Sequence, residues 1–162
     1  MGNPCCQEKL PSCPQPEQKS GQVIPSYAGT VVTASGPVTK VSGRFSAADR
    51  LGIWKVRWGL GRMNDTVRPG LYALGQPQAG SEVLVTANYR MSFDLLRRAV
   101  AHLDAWILVL DTRGVNVWCA AGKGTFGTRE LAVRIRESGL DAVVSHRRII
   151  VPQLGAVGVS AH

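Results

Sequence analysis

The chain has 162 residues, 44% of them hydrophobic, with 18 Gly and 9 Pro, which fits one globular domain rich in turns that can build its core without disulfide staples. A formal net charge of +8 suits nucleic acid, a phosphorylated ligand or an anionic surface, but scattered arginines without an RNP-like aromatic pattern or zinc-finger spacing argue against nucleic acid. The first residues lack the apolar segment of a signal peptide and the longest apolar run, 105–110, is too short to span a bilayer, so the chain by itself is expected to be soluble and cytoplasmic.

Residues 1–22 are poor in large apolar side chains and rich in Pro, Gln, Lys and Glu, and residues 1–43 together read as a disordered or extended leader. Cys5, Cys6 and Cys13 sit in that leader, and Cys119 stands alone in the body of the chain. No C-x-x-C pair occurs, so neither a zinc ribbon nor a ferredoxin-type cluster is read. The leader thiols are either reduced groups on a tail or accessory soft-metal ligands. Between residues 23 and 45, β-branched pieces at 31–33 and 38–39 predict extended chain. Ser46 caps a predicted helix to Trp58, in which Leu51, Trp54 and Trp58 recur at helical spacing and the two tryptophans are assigned to the core. Gly59, Gly61, Pro69, Gly70, Gly75 and Pro77 then predict a long loop.

Residues 82–87 read as a buried strand, Asn88-Tyr89 as a turn, and Ser92 as the N-cap of a helix to about His102. On that helix Phe93, Leu96, Val100 and Leu103 are expected inward, with Arg97 and Arg98 outward. The run 105–110 is apolar throughout, which predicts a central, parallel strand. Thr128 caps a further predicted helix to about Ser138 with Leu131, Val133, Ile135 and Leu140 inward, and 141–144 and 148–151 read as short strands. The alternation implies a Rossmann-like, doubly wound α/β sheet, in which ligands bind beyond the carboxyl ends of the strands. Thr86-Ala87-Asn88 and Asp111-Thr112 occupy such ends, and the segment Asn116–Gly127 follows them.

That segment places one thiol between an apolar run and a glycine-rich turn. Cys119 is expected to be shielded from bulk water, near backbone donors and available to a soft metal. Several readings of these residues stay open. Cys119 can be an inert buried thiol. As a nucleophile it would need a base, and His102, His146 and His162 lie in no recognisable catalytic motif. Gly122, Gly124 and Gly127 match G-x-G-x-x-G, a dinucleotide-binding turn, although Asp141 precedes the next predicted strand where an acidic residue should end it.

The stretches Val83–Tyr89, Ala105–Thr112 and Asn116–Thr128 closely resemble the corrinoid-binding domain of the mercury-methylating corrinoid proteins of anaerobic microbes, and 144–147 and 152–156 extend the likeness. The resemblance covers residues 44–162. It implies a Rossmann-like corrinoid domain, related to that of the acetyl-CoA-pathway corrinoid iron–sulfur protein, with a cap helix that carries Cys119. It implies a corrinoid-dependent methyltransferase that converts mercury(II) to methylmercury, with the Cys119 thiolate as lower axial cobalt ligand. A thiolate there raises electron density on the metal and favours carbanion-like methyl transfer to a soft, electrophilic ion.

By the same resemblance, Thr86, Ala87, Asn88, Thr112, Asn116, Trp118, Ala120, Ala121, Gly122, Lys123, Gly124 and Thr125 are the cofactor contacts. The implied partners are a ferredoxin-like iron–sulfur electron donor and a methylated tetrahydrofolate-type methyl donor. The C-terminal membrane domain of that family, which would hold the protein at the cytoplasmic side of the membrane, is not in this sequence, and 44–162 is expected to be truncated at its C-terminal end. The iron–sulfur relative lacks the cysteine, which sets Cys119 on the mercury side. Two alternatives are a corrinoid methyl carrier of the acetyl-CoA pathway and a dinucleotide-binding module that uses Gly122, Gly124 and Gly127.

Overall fold

A computed structural model describes residues 27–160 apart from 48–49, 52–53, 55–57 and 59–64. Cys5, Cys6, Cys13 and His162 lie outside the described residues, as does much of the helix predicted over 46–58. In chain order the elements are β1 (Tyr27–Thr33), β2 (Gly36–Val41), β3 (Gly70–Leu74), β4 (Val83–Ala87), α1 (Arg90–Ala99), β5 (Ala105–Leu110), α2 (Val117–Gly122), α3 (Thr128–Glu137), α4 (Leu140–Val143) and α5 (Gln153–Ala156).

The strands form one sheet in the order β1-β2-β3-β5-β4. β4 runs parallel to β5, with Leu84 opposite Ile107, whereas β3 runs antiparallel to β5, with Tyr72 opposite Ile107. β2 is parallel to β3 and antiparallel to β1. The sheet is therefore mixed, with β5 inside it and buried along its whole length. Side chains alternate across the pleat. Ile107 and Val109 pack with Phe93 on the α1 side, while Trp106, Leu108 and Leu110 pack with Ala120, Phe126 and Leu131 on the other. Helices thus cover both faces of an α/β, Rossmann-like sheet.

Several expectations change. β3 lies where a loop is predicted: glycine and proline punctuate the segment, but Leu71-Tyr72-Ala73-Leu74 is a short buried run between two glycines. Residues 140–143 form one helical turn instead of a strand, because Gly139 takes φ +59° at the end of α3 and restarts the helix. Residues 148–151 make a single parallel bridge, Leu84 with Ile150, through Val85 N–H to Ile150 O at 2.9 Å and Ile150 N–H to Val83 O at 2.7 Å. Arg97 is fully buried, not outward. Its Nε donates to Asp94 Oδ1 at 2.7 Å, and its Nη1 donates to the carbonyls of Ser42 and Arg44. Trp54 and Trp58, assigned to the core, are 65% and 73% exposed, and their rings stack at 5.7 Å. Leu51 is exposed as well.

Candidate functional site

β4 and β5 are parallel neighbours, so their carboxyl ends lie at the same rim of the sheet. The chain leaves β5 through a tight turn in which Arg113 (φ 57°) and Gly114 (φ 74°) are both left-handed. Asp111 Oδ1 accepts from Arg113 N at 3.0 Å, an Asx-type turn that offsets the strain at a residue with a side chain. Asn88, at the end of β4, holds this turn. Its Oδ1 lies 3.1 Å from Thr112 N and 3.0 Å from Gly114 N, and its Nδ2 donates to Asp111 Oδ1 at 3.2 Å. Thr112 Oγ1 lies 2.6 Å from Val115 O and 2.8 Å from Asn88 Oδ1. Its one proton goes to the nearer carbonyl.

The turn delivers the chain to α2, which Asn116 caps by accepting from Cys119 N at 2.9 Å. Ala120 and Ala121 face the core, while Trp118, Cys119, Gly122, Lys123 and Gly124 face solvent. Cys119 is thus exposed, against the expectation of a shielded thiol. A helix of two small inward residues presents its larger side chains outward. The glycine run then ends the helix: Lys123 is its C-cap, Gly124 takes φ 74°, and Thr125 and Phe126 N–H both reach Ala120 O, at 3.0 and 3.1 Å. A helix rather than a strand therefore precedes Gly122, so the strand–turn–helix context of a dinucleotide fingerprint is not met. The glycines serve as a helix stop.

Beside α2 a groove of about 560 Å³ opens between α1 and α5. Its walls include Thr86, Ser92, Leu95, Leu96, Asn116, Val117, Trp118 and the segment Pro152–Leu154. Leu95, Trp118 and Leu154 are 54%, 68% and 63% exposed, so one rim carries three large apolar side chains open to water. Monomeric surfaces rarely gather such side chains without a ligand or a partner. Cys119 lies one residue beyond this wall on the same helix.

The expected contacts therefore divide. Thr86, Asn116 and Trp118 border the groove, and Cys119, Gly122, Lys123 and Gly124 extend the same rim. Ala87, Asn88, Thr112, Ala120 and Ala121 are buried behind it, where Asn88 and Thr112 have their polar atoms engaged by the protein itself. Thr125 is half-buried, with Oγ1 3.3 Å from Ala120 O. Leu95, Pro152 and Leu154 were not among the expected contacts. The signal for Leu95 is an apolar residue out of phase with the buried stripe of α1.

No hydrogen bond joins a histidine to Cys119 among the described residues, where His146 Nε2 instead lies 2.9 Å from Ser81 O. No group of three His, Cys, Asp or Glu assembles there to hold a bare metal ion. No described helix is long and apolar enough to cross a membrane.

A family model described as CO dehydrogenase/acetyl-CoA synthase delta subunit matches residues 61–160. Similar curated proteins include the acetyl-CoA decarbonylase/synthase complex subunit gamma of Methanopyrus kandleri, 34% identical over 88 residues that make up 53% of this chain and 19% of the relative. The subunit of the same name from Methanocaldococcus jannaschii is 34% identical over 97 residues, 59% of this chain and 20% of the relative. That from Archaeoglobus fulgidus is 28% identical over 92 residues, 56% and 20% of the two chains. The chain spans about a fifth of the length of these relatives.

Proposed function

Because this chain belongs to the CO dehydrogenase/acetyl-CoA synthase delta-subunit family, we propose that it is a corrinoid-binding domain that carries methyl groups in one-carbon metabolism. The observation that supports this most is the apolar rim beyond the carboxyl ends of β4 and β5, with an exposed thiol beside it. The residues suit such a cofactor. Leu95, Trp118 and Leu154 offer apolar surface to a flat macrocycle, and Cys119 offers a soft sulfur donor of the kind cobalt accepts. A bound corrinoid supplies a metal that accepts a methyl group from a carrier and passes it on.

The chain's own residues have simpler tasks. Trp118 and Leu95, open to water along the rim, offer the apolar surface that a bound macrocycle would cover. Asn116 fixes the first turn of α2 and with it the position of Cys119. Lys123 offers a charged donor to the amide and phosphate groups at the edge of a corrinoid. A methylated tetrahydrofolate-type donor and a ferredoxin-like iron–sulfur electron donor complete the proposed cycle. The relatives are subunits of the acetyl-CoA decarbonylase/synthase complex, which favours methyl carriage within a larger assembly.

The thiol favours a second, finer reading, in which Cys119 would hold the cobalt of the corrinoid through its sulfur and mercury(II) would be the methyl acceptor. A sulfur ligand pushes electron density towards the metal, which suits transfer of a methyl group with its electron pair. Two assays separate the readings. After anaerobic incubation with cobalamin and gel filtration, the first predicts cobalt retained near one per chain, with Trp118→Asp losing most of it. The second predicts methylmercury when protein loaded with methylcobalamin, which supplies the methyl group, is given mercury(II), and its loss in Cys119→Ala. Retention without methylmercury leaves the carrier reading alone; no retention overturns both.

A further inference from the structure

A second groove, of about 660 Å³, lies past the end of α1, away from the corrinoid rim. Arg44, Phe45, Arg50, Trp54 and Arg98 wall it. Among the described residues no carboxylate lines it, and Arg44, Arg50 and Arg98 form none of the ion pairs that occupy Arg90, Arg97, Arg134 and Arg148. Three guanidinium groups around one concavity repel one another and concentrate positive potential there. The groove also has an aromatic side. Trp54 is largely exposed and is backed by the stacked ring of Trp58 at an interplanar angle of 19°. Phe45 lies beneath two guanidinium groups, with Arg97 at 4.9 Å and Arg98 at 5.3 Å from its ring. That contact helps to hold Arg98 in place.

We infer that this groove binds a nucleoside di- or triphosphate, its phosphates against Arg44, Arg50 and Arg98 and its base against Trp54. Arginine suits phosphate because its planar fork donates two parallel hydrogen bonds, and three of them match a polyphosphate better than a single anion. An exposed indole gives a base the stacking surface that phosphate alone would not use. The volume is that of a small-molecule site, and among the described residues the basic lining is confined to Arg44, Arg50 and Arg98. The inference is independent of corrinoid binding and concerns a different part of the molecule.

The test is titration of the full chain with ADP, pyrophosphate, adenosine and a short single-stranded oligonucleotide, followed by calorimetry and tryptophan fluorescence. ADP is expected to bind more tightly than pyrophosphate or adenosine. Arg98→Gln, an exposed substitution, should weaken ADP at least tenfold, and so should Arg44→Gln. Trp54→Ala should weaken ADP about tenfold and leave pyrophosphate unchanged. Absence of ADP binding, or ADP affinity unaltered in Arg98→Gln and Arg44→Gln, would overturn the inference. Tighter binding of the oligonucleotide than of ADP would overturn it in favour of a nucleic-acid surface.

Discussion

Asn88 sets where the thiol stands, although the two are separated by the whole of β5. Its Oδ1 is the acceptor for the N–H groups of Thr112 and Gly114, which have no other place to go inside the turn. Asn88→Ala leaves two buried donors unmet, at about 1–3 kcal/mol each. We expect urea denaturation to show about 2–4 kcal/mol less stability. Tyr72 gives a second residue-scale outcome. Burial holds its phenol protonated, with the pKa pushed up to about 12 from 10.0. The phenol is an acid whose folded pKa lies above its unfolded value, so between about pH 10 and 12 the folded state keeps a proton that the unfolded chain has lost. Stability therefore falls as pH rises through that window, by about 2–3 kcal/mol in all. Tyr72→Phe should remove this fall, while losing the hydrogen bond from Tyr72 Oη to Arg68 O at 2.8 Å. Denaturation curves at pH 9, 10 and 11 check both parts. The sequence marks Asn88 and Thr112 as site residues because they end strands, and they do lie at the rim. That their polar atoms are consumed by one turn depends on the pairing of β4 with β5, which no local pattern specifies.

At the scale of elements, α2 and α5 meet closely along the rim at Gly155. A Cβ on Gly155 would lie 2.5 Å from Phe126 Cε1 and 2.9 Å from Val117 Cγ1, so α5 must retreat from α2 to admit it. Gly155→Ala is expected to cost about 1–3 kcal/mol and to weaken cobalamin retention, because Leu154 and Trp118 move apart. Thermal unfolding and cobalt content measure the two effects. Helical periodicity found α1 and its inward Phe93 and Leu96. It failed at Arg97, since a charged residue reads as a solvated one until Asp94, three positions before it, is seen as its buried partner. It failed differently at Trp54 and Trp58, whose spacing marks one helix face without saying that the sheet lies elsewhere. The glycines after Cys119 fit two local roles, and the preceding element, helix rather than strand, decides between them.

For the whole molecule, alternation of apolar runs with amphipathic segments was enough to read an α/β fold and to place β4 and β5. β3 is hidden in the sequence because its four buried residues sit among turn formers. Its antiparallel pairing with β5 makes the sheet mixed where a doubly wound parallel one is expected. The rim at the carboxyl ends of β4 and β5 was legible from topology alone, since parallel neighbours must end together. The exposure of Cys119 was not, because it follows from α2 turning two alanines inward. The measurement that bears most directly on the corrinoid reading is the ultraviolet–visible spectrum of the full chain after anaerobic reconstitution with cobalamin, taken for wild type and for Cys119→Ala. The account predicts protein-bound corrinoid in both, with a spectrum that shifts when the thiol is removed. A wild-type protein that emerges from gel filtration with no corrinoid absorbance would contradict it.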